Sequence, residues 1–185
     1  MNTRLHVKHH VTELITDINI IEEMIKIAAN QKLKHTQDCI HLTWHVIECR
    51  IYAEDPQSEI LPSSGRITEY ASTQNNINIR IDSSAKAGSD VSMFYDPMIA
   101  KLCTYHNTRQ KTIECMFAAL EAFIICGIAH NITFLEAIIS HHRFIEENTN
   151  TNFIHEEYPD GFVGAKLISE ITEVFFSSCN LYFYF

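Results

Sequence analysis

Glycine is scarce in this sequence, with five residues in 185, beside four prolines and a single tryptophan. An ordinary globular chain carries about 7% glycine. Neither G-x-G-x-x-G nor G-x-x-x-x-G-K-[ST] occurs, which excludes a complete glycine-rich phosphate cradle within these residues. G-x-S-x-G and H-E-x-x-H are also missing, so the common serine-hydrolase and zinc-protease sites are not encoded. The six cysteines, at 39, 49, 103, 115, 126 and 179, form no C-x-x-C pair; they read as free thiols in a reducing compartment. No uncharged apolar run reaches the ~18–20 residues of a membrane helix, and the opening residues lack the apolar centre of a signal peptide. A soluble, cytoplasmic protein is expected. Positive charge is short too: 14 Lys and Arg stand against 23 Asp and Glu, a net charge of −9 with His neutral. That sign argues against nucleic acid or an anionic membrane as the main partner.

What is present is a core-forming pattern. Hydrophobic residues make up 46% of a chain long enough to bury a real core. Residues 2–7 read as a short strand, because Leu5 and Val7 alternate with polar neighbours. Val11, Leu14, Ile15 and Ile18 follow at helical spacing, with a break near Asp17. The pattern predicts a main helix over 18–29, with Ile20, Ile21, Met24, Ile25, Ile27 and Ala28 as its buried stripe and Asn30 closing it in the left-handed conformation. The period then changes to two: 40–51 is rich in strand formers, 65–70 reads as a short strand, and Ile77, Ile79 and Ile81 alternate with polar residues. From Thr108 the helical period returns through Ile113, Met116, Phe117, Leu120 and Ile124, with Gly127 as the stop. Asn131 is placed to cap a last helix carrying Leu135, Ile138 and Ile139. Helix, then strands, then helices implies an α+β fold.

Three groups of residues could carry chemistry. Arg4, His6, Lys8 and Asn2 would project from one face of the opening strand, a cationic row suited to carboxylate, bicarbonate or phosphate. The pattern alone favours the plainer reading, a solvated edge strand with scattered charge. His6, His9 and His10 invite a zinc ligand set, but their spacing is not that of a standard pair and structural or surface histidines fit better. Glu48 and Arg50 face the same side of one strand, leaving Arg50 either an ion-pair partner or an oxyanion binder.

These same stretches resemble the biotin carboxylase family. The resemblance rests on 1–13, 48–56, 61–65 and the run Phe94-Tyr95-Asp96-Pro97-Met98-Ile99-Ala100-Lys101-Leu102. Gly88-Ser89-Asp90 and Tyr158-Pro159-Asp160-Gly161-Phe162 are similar to the propionyl-CoA carboxylase branch, and the likeness runs from residue 1 to about 167. It implies the end of an ATP-grasp domain (1–35), a biotin carboxylase C-terminal domain (36–157), and a family-like junction leading into a divergent apolar tail (158–185). The family reaction phosphorylates bicarbonate with ATP and passes the carboxyl group to biotin.

Carried over by position, the resemblance places Asn2 on a magnesium–nucleotide oxygen, Arg4 and the Val7 N–H on bicarbonate, and Arg50 on the ureido oxygen of biotin as charge develops there. It also marks departures. His6 stands where the family has a bicarbonate-binding Gln, and Lys8 where it has the Glu that deprotonates bicarbonate. The acidic magnesium ligand would fall just before Met1, and the ATP-gripping lid and lysines belong to a portion outside this sequence. Turn glycines of the family are replaced at Asp17, Asn30, Trp44, Ser84 and His106, and misfits of ~1 kcal/mol each are expected where the new residue tolerates positive φ poorly. The expected role is therefore the C-terminal part of a biotin carboxylase, inactive alone, with ATP, magnesium and biotin bound only alongside a missing N-terminal half or intact carboxylase subunits and a biotin carrier domain. The rivals are a non-catalytic module docking on an intact carboxylase, and a decayed remnant. Val174-Phe175-Phe176 and Leu181-Tyr182-Phe183-Tyr184-Phe185 have the composition of an aggregation-prone strand.

Overall fold

A computed structural model describes residues 4–58, 61–73 and 77–164. Asn2 and the apolar tail therefore lie outside the described residues. Two helices come first, α1 (His9–Thr16) and α2 (Ile20–Ala28). Asp17 ends α1 with φ 57°, and Asn30 follows α2 with φ 58°. Both are residue types that tolerate the left-handed region, so these two breaks fall where the composition places them. The Asn19 side chain caps α2 by accepting from the Glu22 N–H at 2.9 Å.

Of the strand expected over 2–7, the described residues 4–7 form no strand. His6 O accepts from the His9 N–H at 3.0 Å and from His9 Nδ1 at 2.8 Å, so the chain turns directly into α1. A strand needs a neighbour to satisfy its backbone groups, and among the described residues none pairs with 4–8. The stripe of α2 is also opposite to expectation: Ile21, Met24, Ile25 and Ile27 are exposed, while Glu23 is buried.

The centre of the fold is a three-stranded antiparallel sheet of β1 (His45–Tyr52), β6 (Ile79–Ser83) and β8 (Met98–His106), ordered β1-β8-β6. Between them lie β2 (Glu54–Asp55), β3 (Leu61–Pro62), β4 (Gly65–Arg66), β5 (Glu69–Ala71) and β7 (Asp90–Val91), which form small ribbons β2·β3 and β4·β7. Ile77 lies in a turn, exposed, outside the strand its alternation predicts. Helix α3 (Arg109–Glu121) begins where the helical period returns, is capped by Thr108, and stops before Ile124. Residues Ile124–Cys126 instead form β9, paired with β5. Gly127 ends that strand with φ 97°, where a Cβ would meet Arg66 O at 2.3 Å. It permits a close backbone crossing instead of stopping a helix. Three helices finish the described chain: α4 (Ile132–Ile139), α5 (His142–Ile145) and α6 (Phe153–Glu157). The architecture is α+β.

One face of the sheet, with Cys49, Ile51, Ala100, Leu102 and Ile79, packs on Ile113, Met116 and Leu120 of α3 and on Ile132 and Ile139 of α4. Thr104 Oγ1 donates to Thr112 O at 3.1 Å, and Thr112 Oγ1 to His45 O at 3.1 Å, so both buried hydroxyls are satisfied while tying α3 to the sheet. Trp44, Ser84 and His106 all have negative φ; beyond Asp17 and Asn30, the one non-glycine with positive φ among the described residues is Glu147, at 61°. The strain expected from lost glycines at 44, 84 and 106 does not arise, because the backbone there is not left-handed.

Asn131 does not cap α4 with its side chain. Its Nδ2 donates to Arg50 O at 3.1 Å and its Oδ1 accepts from the Tyr52 N–H at 2.9 Å, closing the free edge of β1. Removing it leaves two backbone groups unpaired at a largely buried position, so Asn131→Ala should lower stability by about 1–3 kcal/mol. Urea unfolding measures this; an unchanged midpoint would show that the edge is satisfied without Asn131.

Candidate functional site

The second face of the sheet is polar, and the register sets its order. One row runs Arg50, Lys101, Asp82 across β1, β8 and β6; the next runs Glu48, Cys103, Arg80. Like charges directly opposite are unfavourable in a sheet, so Arg50 and Lys101 need anions nearby. Glu48 accepts from Arg50 Nε at 2.7 Å, with the Glu48 side chain 9% and the Arg50 side chain 30% exposed. Asp82 flanks Lys101 on the other side and accepts from Arg80 Nε at 2.9 Å.

Helix α1 lies over this face. Glu13 Oε2 accepts from Arg80 Nη1 at 3.0 Å, while its Oε1 accepts from the Ile20 N–H at 3.0 Å. His10 Nε2 sits 3.4 Å from Asp82 Oδ2, and the rings of His9 and His10 are 3.8 Å apart. Glu48 raises the Arg50 pKa further, chiefly through their hydrogen bond, so the guanidinium is a fixed cation. Burial pushes the Cys103 thiol up to about 12, which removes it as a nucleophile.

Two abutting hollows open where α1 meets the sheet. One, of about 480 Å³, is lined by Lys8, Val11, Thr12, Glu48 and Arg50. The other, of about 360 Å³, is bounded by Arg4, His6, Lys8, His9 and Thr12, with Met24 at its apolar side. Lys8 and Thr12 belong to both. Arg4, His6 and Lys8 are thus brought together by a turn, not by the pleat of a strand, and Lys8 is exposed between them and Arg50. Val7 lines neither hollow; its carbonyl accepts from Lys101 Nζ at 3.4 Å, which ties the loop to β8. A guanidinium has five N–H donors, so Arg50 retains capacity for an oxyanion beyond its contacts with Glu48 and Tyr52. The arrangement suits small anions and a polarised oxygen.

Residues 48–156 match the Biotin carboxylase C-terminal domain family, and residues 1–36 match the ATP-binding domain of the carbamoyl-phosphate synthase L chain family. The chain belongs to the biotin carboxylase family. It is 44% identical over 171 residues to the mitochondrial propionyl-CoA carboxylase alpha chain of Sus scrofa, covering 92% of this chain and 23% of the relative. It is also 44% identical to the propionyl-CoA carboxylase alpha chain of Ruegeria pomeroyi, covering 90% of this chain and 27% of the relative. The chain thus spans about a quarter of the length of these curated relatives. Among solved structures, the biotin carboxylase domain of Hydrogenobacter thermophilus 2-oxoglutarate carboxylase superposes with a TM-score of 0.82 at 34% identity. That match covers 84% of this chain and 34% of the other, which was solved with MgADP, ADP and bicarbonate. Biotin carboxylase from Campylobacter jejuni gives 0.79 at 39% identity, covering 84% and 34%.

The fold brings in residues that carry no role on sequence grounds alone, Glu13, Arg80, Asp82 and Lys101, and His10, on those grounds a structural or surface histidine, is buried beside Asp82. The signal was available in Arg80-Ile81-Asp82, where charges at i and i+2 repeat the Glu48 and Arg50 pattern and mark a second strand with a polar face. Among the described residues no helix is long and apolar enough to cross a membrane, no group of three His, Cys, Asp or Glu could hold a metal ion, and the five described cysteines are free.

Burial pushes the His10 imidazole below its ordinary 6.5; Asp82 opposes this, and His9, Arg80 and Lys101 reinforce it. Below pH 6.5 the unfolded chain binds more protons at this residue than the folded one. Its contribution to stability is therefore full above that value and is lost as pH falls toward the folded pKa. His10→Gln should flatten this acid-side loss, read from urea midpoints on either side of pH 6.5. Equal slopes in both proteins would show that His10 does not govern it.

Proposed function

We propose that this chain carries the bicarbonate- and biotin-facing part of a biotin carboxylase of the propionyl-CoA type, that it is inactive alone, and that Lys8 keeps the site slow even when an ATP-binding portion completes it. The observation that carries this reading is the convergence of Arg4, His6, Lys8 and Arg50 on two hollows that share Lys8 and Thr12. In this reading Arg4 and His6 hold bicarbonate, and Arg50, oriented by Glu48, stabilises charge on the ureido oxygen of biotin. Val7, with its carbonyl engaged by Lys101, fixes the loop that presents Arg4 and His6. Biotin arrives on a carrier domain. ATP supplies the activating phosphoryl group, but the described residues fit only the anion side: they provide neither a phosphate cradle nor a metal-ligand group. Asn2 is assigned to the magnesium–nucleotide side. The proposed boundaries are 1–35 for the ATP-grasp remnant, 36–157 for the C-terminal domain and 158–185 for the junction and tail.

Lys8 favours a second reading, a non-catalytic module that docks on intact carboxylase subunits. An ammonium has no lone pair with which to take a proton from bicarbonate, and Lys8 is exposed.

A polypeptide of residues 1–185 should give no calorimetric heat with MgATP; micromolar binding would overturn the division of labour proposed here. In a complex with the ATP-binding portion of a propionyl-CoA carboxylase alpha chain, bicarbonate-dependent phosphate release with free biotin should stay near background. Lys8→Glu should raise it, and His6→Gln should raise it further. In the complex that carries Lys8→Glu and His6→Gln, Arg50→Ala should cost about 10²–10³-fold in the biotin-dependent rate. Brisk turnover by the unaltered chain, unimproved by Lys8→Glu, would make Lys8 a working replacement and sink the non-catalytic reading.

A further inference from the structure

Helices α3, α4 and α5 bound another hollow, of about 330 Å³, on the α3 side of the sheet and apart from the two that hold Lys8. Ile113, Glu114 and Phe117 of α3 line one wall, and Ile139, Ser140 and Ile145 the other. Ile113 and Ile139 are buried, at 5% and 2% exposure, while Ile145 stands 40% exposed. The Glu114 carboxylate is engaged along its own helix, where Gln110 Nε2 donates to Oε1 at 3.0 Å. What is left for an occupant is an apolar cleft with room for aromatic side chains.

The chain itself carries a segment of that chemistry. Residues 174–185 contain six aromatic side chains and no Asp, Glu, Lys or Arg. They follow the stretch that resembles the family, which ends near residue 167, so the family assigns them no place. The described residues end at Gly164, close to α4. Phe162 packs at 5.0 Å on the ring of Phe134, in the first turn of that helix, and at 5.8 Å on Tyr158. The other end of α4, Ile139, lies in the hollow. An eight-residue helix is about 12 Å long, whereas residues 165–173, extended, span up to about 30 Å. Reach is therefore not limiting.

We infer that residues 174–185 fold back and seat their aromatic side chains in the hollow between α3, α4 and α5. A tethered segment meets its site at a high effective concentration, which a separate partner lacks. A second copy would bring a like net charge of −9 to the contact, while the segment brings none. Seating it also removes from water a stretch whose composition otherwise favours aggregation.

The occupant is read with p-benzoylphenylalanine in place of Ile145 in the full chain. Irradiation should join position 145 to a peptide within 174–185 of the same molecule, leaving the protein at monomer mass. A link between two molecules overturns the inference, since a second copy would then be the occupant, and so does the absence of any link to 174–185. Stability supplies the second measurement. Removing 174–185 should lower the melting temperature by about 4–8 °C, and Ile145→Glu in the full chain should lower it by a similar amount. In the shortened chain Ile145→Glu should cost nothing further, because its partner is already gone. Ile77→Glu, on an exposed turn, should leave both melting temperatures unchanged. Additive losses, or a shortened chain as stable as the full one, overturn the inference; if the shortened chain fails to fold, the cross-link alone decides.

Discussion

Glu13 joins three parts of the molecule with one carboxylate. One oxygen accepts from the first turn of α2 and the other from Arg80 in β6, so the position of both N-terminal helices on the sheet depends on it. A carboxylate this enclosed requires such partners, because burying an unpaired charge costs several kcal/mol. The sheet imposes the same demand from its side. Its polar face carries Arg50, Lys101, Arg80, Glu48 and Asp82 in adjacent registers, and their charges must be matched across strands and by whatever lies above. Helix α1 supplies Glu13 and His10 to that face, and the Thr43 N–H donates to Ile15 O at 3.0 Å near its end.

That arrangement explains why a site can exist on a sheet face. A face covered fully by apolar packing has no room for an anion, and one left open would be flooded by water. Here α1 lies against β1 and β8 and reaches β6 through Glu13 and His10, leaving a hollow lined by Arg50 and Lys8. Glu48 keeps the guanidinium in a single orientation, and the Lys101 contact with Val7 fixes the turn that carries Arg4 and His6. The sheet thus positions Arg50, and the loop sets Arg4 and His6 beside the adjoining hollow.

The core of the fold was largely legible in the sequence. The alternation through Ile79 and Ile81 and the helical spacing of Ile113, Met116 and Leu120 correspond to buried or partly buried positions in one core. Elements whose signal depends on neighbours were misread. Residues 4–8 alternate like a strand but have no partner to pair with, so they turn. Ile124 continues a helical period yet joins β9, because pairing with β5 satisfies its backbone. Asn131 stands at a cap position, but its side chain reaches β1, a contact between residues far apart in the chain.

The sequence by itself determined the chemistry available: an Arg beside a Glu in a strand, a Lys in place of a family Glu, and apolar stripes of the right period for each element. Those are properties of residue type and short-range spacing, which the chain carries without folding. Only the tertiary structure decided which of them meet. Lys8 and Arg50 share a hollow because α1 settles on the polar face of the sheet. The stripe of α2 faces outward because Glu13 receives the N–H of Ile20 and Glu23 takes the inward position. Periodicity states that a helix has an apolar face; the direction of that face is set by long-range hydrogen bonds and ion pairs that no local pattern encodes.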